Sequence, residues 1–122
     1  MALISLEEAK TYLRVDSADE DAMISTLILS AGVLAKDVGR LPDEKWDAVN
    51  AEPTNDDGAE LISLRAIFRV AVLYALGYLF EHREEADHHD LTLTLRSLLF
   101  SVREGILPRP AGTASKPPSP PP

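Results

Sequence analysis

Residues 60–83 read ELISLRAIFRVAVLYALGYLFEHR, and the reading of this stretch decides the fold. Leu61, Ile62, Leu64, Ile67 and Phe68 lead into an unbroken apolar run at 70–80, so almost no polar face is left beyond Arg69. A helix that is apolar all round has to be covered all round. The length suits a bilayer span, but Arg65 and Arg69 interrupt it and the run that remains is too short to cross hydrocarbon. The stretch therefore predicts the long central helix of a small all-α bundle, with 70–80 buried. In so short a chain the other helices cover part of it, and a second subunit is an attractive cover for the rest. Arg65, Arg69 and Arg83 project to nearly one side, with Val72, Leu76 and Leu79 between them. Guanidinium groups around an apolar strip suit a subunit or partner interface. Solvated arginines lying on their own apolar stems are the plainer alternative.

Toward the N-terminus, Ser5 followed by Glu8 has the spacing of a capping box and predicts a short helix at 6–13. Ser17 and Glu20 repeat that spacing, with Asp19, Glu20 and Asp21 placed at the positive end of a second helix reaching about residue 38. Gly39 and Pro42 supply its stop. On a helical wheel Met23, Ile24, Leu27, Ile28, Ala31, Leu34, Ala35 and Val38 share one broad core face. Ala22, Leu29 and Val33 form a narrow second stripe on nearly the opposite side, which a lone bundle leaves wet and a neighbouring chain would cover. Tolerated surface aliphatics are the alternative.

Between these helices, 41–58 is rich in proline, asparagine and acids and reads as an acidic loop, with Trp46 packed back as an anchor. After the central helix, Leu91, Leu93 and Leu95 alternate as in a strand, while Leu95, Leu98, Leu99 and Val102 keep helical spacing. A fourth helix is expected at about 94–103, entered through an extended segment and ended by Gly105 and Pro108. The fold expected is thus a bundle of about four helices, with a domain at 1–107 and an extended or disordered proline-rich tail at 108–122.

The chain has 122 residues and 45% hydrophobic content, enough for one folded domain with a modest core. With no cysteine, disulfides, thiolate metal sites and cysteine nucleophiles are excluded. The net charge of -8 is carried by the front half, where fourteen acids face five bases, against six and seven after residue 60. Such a surface repels phosphate, so tight electrostatic gripping of nucleic acid is not expected. Residues 1–6 lack the basic start and long apolar stretch of a secretion signal. All six glycines are isolated, so no phosphate-binding loop is present, and no serine sits in a nucleophile elbow. His82, His88 and His89, with Glu85, Asp87 and Asp90 nearby, are the one group that could be imagined holding a metal. Their spacing does not make a two-histidine helical pair, so no metal, cofactor or catalytic residue is assigned and the chain is read as no enzyme.

The segment Leu6-Glu7-Glu8-Ala9-Lys10-Thr11-Tyr12-Leu13-Arg14-Val15-Asp16, the acidic start Asp19-Glu20-Asp21 and the helix at 24–39 together resemble the small head-tail connector, or adaptor, family of tailed bacteriophages and related gene-transfer particles. The likeness continues in 73–80 with Glu81-His82-Arg83-Glu84, and in Leu98-Leu99 and Arg103, in the same order. It covers most of 1–104, while 41–58 and the tail are not matched. The resemblance implies a structural, head-completion role at the portal vertex: a homomeric ring of about twelve copies between the portal protein and a tail-side stopper protein. DNA would pass through its centre during packaging and exit without sequence-specific binding. It further implies a virion protein of the head-tail junction, made in the bacterial host cytoplasm and not membrane-bound. Leu29, Val33, Arg65, Arg69 and Arg83 are the candidate interface residues, and Leu29→Asp or Arg69→Glu is expected to weaken assembly more than it unfolds the subunit. The competing readings are a cytosolic helical interaction module whose proline tail is a ligand, and a metal-dependent hydrolase built on the three histidines.

Overall fold

A computed structural model describes residues 3–84 and 88–105, and among them there are helices and turns but no strand. The elements are α1 Leu6–Leu13, α2 Asp21–Gly39, α3 Asp43–Asn50, α4 Ala59–Glu81, α5 His89–Leu98 and α6 Phe100–Arg103. α4 is the centre of the bundle and α2 its principal neighbour; α1 and α5 flank both, α3 packs on α4, and α6 on α2 and α5. The all-α architecture and the central helix agree with the sequence reading.

The core is one apolar cluster running through Ile4, Ala9, Ile24, Ile28, Ala31, Ala35, Leu64, Phe68, Ala71, Val72, Ala75, Leu76, Leu91, Leu95 and Leu99. Alanines on the facing rows of α2 and α4 let the two helices approach closely, and Phe68 fills the space beyond them. α2, at 19 residues and mean hydropathy 1.4, is long and apolar enough to cross a membrane by length and composition. Its Ile24, Ile28, Ala31 and Ala35 row is buried in the bundle, as in a core helix.

Four local expectations are corrected. First, Ser5 does cap α1, its Oγ accepting from Glu8 N–H at 3.1 Å, but Ser17 does not cap α2: it accepts from Asp19 N–H at 3.0 Å within a turn, and the helix begins at Asp21. The Asp21 carboxylate pairs with Lys10 at 2.8 Å, tying the start of α2 to α1.

Second, Gly39 is the last residue of α2 but not its left-handed cap. It lies in the helix, and Arg40 takes the left-handed conformation at φ 54. The glycine is required by packing instead, because a Cβ there would stand 2.9 Å from the Phe68 ring. Gly105, at φ 75 after α6, does end its helix as expected.

Third, the loop at 41–58 contains α3, whose acidic first turn of Asp43 and Glu44 suits the helix dipole. Its sequence is polar, and the helix exists because Val49 is buried and Trp46 meets Phe68 edge-on, with ring centroids 5.6 Å apart. The anchoring role expected of Trp46 is therefore present.

Fourth, the segment at 91–95 is helical rather than extended. Leu91, Leu95 and Leu99 form an i, i+4 row that buries completely, leaving Leu93 outside; the helix breaks at Leu99 and resumes as α6. The proline-rich tail at 108–122, with the end of the predicted domain at 106–107, lies outside the described residues.

Candidate assembly surface

The three arginines of α4 and its end do not act together. The Arg65 guanidinium donates to Asp57 at 2.9 Å and to the carbonyls of Val49 and Ala48, both at 3.4 Å. It thereby clamps the end of α3 and the turn at 54–57 to α4. Thr54 N–H also donates to the Asp57 carboxylate, and this bond, followed by Arg65, holds the Asp57 pKa below the usual carboxylate range. Arg69 donates to the Leu3 carbonyl at 2.8 Å and to both oxygens of Glu8. That fork is the main cause holding the Glu8 pKa below the usual carboxylate range, and the Ser5 backbone N–H lowers it further, so the Glu8 carboxylate serves both its cap and α4. Of the strip between the arginines, Val72 and Leu76 are fully buried within the subunit, while Leu79 is half-buried. Arg65 and Arg69 thus fasten α1 and α3 onto α4.

Arg83 is placed differently. Its guanidinium lies over the Phe80 ring at 4.9 Å, near Glu20 at 3.4 Å and the Met23 sulfur at 3.1 Å. It forms one rim of an open, largely apolar groove bounded by Met23, Leu27, Leu29, Val33, Leu34 and Leu79. Leu29 and Val33 are 61% and 56% exposed there, so the second stripe read from the α2 sequence is solvated and lines a groove with Arg83 at its end. Three of the five predicted residues come together, and two do not.

A second exposed surface was hidden by the all-round apolar character of α4. Ile62, Ala66, Val70 and Tyr74 follow one another at i, i+4 on the face opposite the buried Leu64, Phe68, Ala71 and Ala75. Val70 is 58% exposed and Tyr74 40%, so 70–80 is not wholly buried as the sequence suggested. Composition alone could not separate the rows, because both are apolar; the alanines at 71 and 75, which mark close helix approach, were the available signal.

The histidines do not build a metal centre. The His82 ring stacks on Tyr78 with centroids 4.1 Å apart, and its Nδ1 lies 2.9 Å from the Tyr78 carbonyl oxygen. His88 meets the edge of Tyr78 and His89 opens α5. Among the described residues no three His, Asp or Glu side chains converge as ligands, and Glu85 and Asp87 lie outside those residues.

The family model described as phage gp6-like head-tail connector protein matches residues 3–109. No curated protein and no solved structure matches the chain.

Proposed function

The chain belongs to the phage gp6-like head-tail connector family, a structural family of the virion's head-tail junction, and on that premise we propose that it works as a homomeric ring between portal and tail-side stopper. Its own residues supply contacts and no chemistry, and DNA passes through the ring. The observation that carries the assembly is the pair of unlike apolar surfaces left open on one subunit: the groove of Leu29, Val33 and Arg83 beside α2, and the outer row of Ile62, Val70 and Tyr74 on α4. Each looks away from the buried contact between α2 and α4. Two different patches on different sides form a heterologous contact, the kind that repeats around a ring when its rotation closes. About twelve copies would match the portal's symmetry.

The charge distribution fits a conduit. A net charge of -8, carried by the front half of the chain, disfavours tight electrostatic adhesion of passing DNA, so the polymer is guided rather than held. Synthesis in the host cytoplasm, followed by docking onto a filled head, is part of the same reading.

The test mixes two variants. Leu29→Asp blocks the groove and Val70→Asp blocks the outer row of α4. Native mass spectrometry should show rings for the wild-type chain, monomers for each variant alone, and a heterodimer that cannot grow when the two are mixed. A wild-type chain that stays monomeric at high concentration and on isolated portal rings would overturn the proposal.

A further inference from the structure

A third surface lies beside the outer row of α4 and shares Tyr74 with it. Tyr12, at the end of α1, lies against α4 at Gly77, where an added Cβ would stand 3.2 Å from its ring. The bare backbone at 77 seats the Tyr12 ring, and beside it an open notch is lined by the half-exposed rings of Tyr12 and Tyr74 with Leu13, Tyr78 and Phe80. Tyr78 is braced by its stack on His82. Glu81, one turn beyond Gly77 on the same face of α4, and Arg14 also line the notch, and both are exposed.

Grooves walled by tyrosine faces suit proline-rich peptides, because proline rings stack on aromatic rings and the peptide is already extended before it binds. This chain carries such a peptide. Seven of its nine prolines fall in 108–122, together with Arg109 and Lys116 and no acid. At about 3.1 Å per residue, fifteen residues in a polyproline conformation can span up to roughly 45 Å. Its cations complement the exposed Glu81 carboxylate.

We propose that the notch between Tyr12 and Tyr74 is the binding site for the chain's own proline-rich segment, residues 108–122. The site stands on α1 and α4, and because it shares Tyr74 with the outer α4 row its binding is read on the dissociated subunit.

The experiment uses a fluorescently labelled synthetic peptide of residues 108–122 and a full-length chain in which Pro117, Pro118, Pro120 and Pro121 are each replaced by alanine, which leaves the notch vacant. The peptide should bind this chain saturably, and more weakly to the wild-type chain, whose own segment competes. Tyr74→Ala should cost roughly tenfold in affinity, the scale of one aromatic contact. Glu81→Lys, at an exposed helix end, should weaken binding in low salt while leaving the helical circular dichroism unchanged. Leu29→Ala, in the other groove, should leave binding intact. Absence of saturation, equal binding of an alanine-for-proline peptide, equal binding to the wild-type chain, or indifference to both Tyr74→Ala and Glu81→Lys would overturn the assignment. Loss on Leu29→Ala instead would move the occupant to the α2 groove and equally overturn it.

Discussion

Leu29 separates assembly from folding within one side chain. It is 61% exposed in the subunit, so Leu29→Ala removes little of the subunit's packing, and leucine and alanine are both good helix formers. Subunit stability should change by no more than about 0.5 kcal/mol. Covering a whole leucine side chain is worth about 1.5–3 kcal/mol, so covering the exposed three-fifths in a neighbour is worth about 1–2 kcal/mol per contact. That corresponds to roughly 5- to 30-fold in the dissociation constant of each contact, repeated at every contact of a ring. Leu29→Asp adds an unpaired carboxylate to the covered groove and should abolish assembly. Sedimentation velocity over a concentration series reads the assembly, and urea denaturation of the dissociated subunit reads its stability. Unchanged assembly by Leu29→Asp would refute the reasoning, as would a loss of subunit stability as large as the loss of assembly.

Three further outcomes follow from the interior. Gly39→Ala should destabilise the subunit by about 1 kcal/mol in urea, because overpacking against Phe68, with a Cβ at 2.9 Å, outweighs the helix-propensity gain; a stabilised protein would show that the ring has room to move. Arg69→Met should cost about 1–2 kcal/mol by leaving the Leu3 carbonyl and Glu8 without their donor, a figure kept low because the ion pair is partly solvated; Arg69→Glu should therefore damage the subunit itself, and retention of full stability would refute the clamp. Glu8 and Asp57 have folded pKa values lowered by their partners, so their contribution to stability is complete above the ordinary carboxylate pKa of about 4 and is lost as pH falls below it toward the depressed values. Thermal unfolding between neutral and acidic pH should show that loss, and Arg69→Met should flatten its Glu8 part; an identical pH slope in the variant would count against the pairing.

The family was legible because its motifs mark helix ends and one long apolar helix, features set by local spacing: Ser5 before Glu8, the run through 73–80, and the Glu81-His82-Arg83-Glu84 break. The candidate surface was half legible. Leu29 and Val33 stood out because α2 has a polar side for them to violate, whereas Val70 and Tyr74 lay on a helix without one. The arginines were read by their shared wheel position, and only the placement of Glu8, Asp57 and the end of α3 shows that two of them are consumed within the subunit.

By itself the sequence determined the helical class, the central place of α4, the cap at Ser5 and the apolar stripe on α2, because each depends on neighbours within a turn or two of chain. Tertiary structure alone decided that α3 exists, that Gly39 serves Phe68 rather than a left-handed cap, that 91–95 is helical, and that Tyr12 and Tyr74 flank one notch. Those outcomes turn on burial against partners far away in sequence, and a residue's own neighbours carry no record of what will be packed against it.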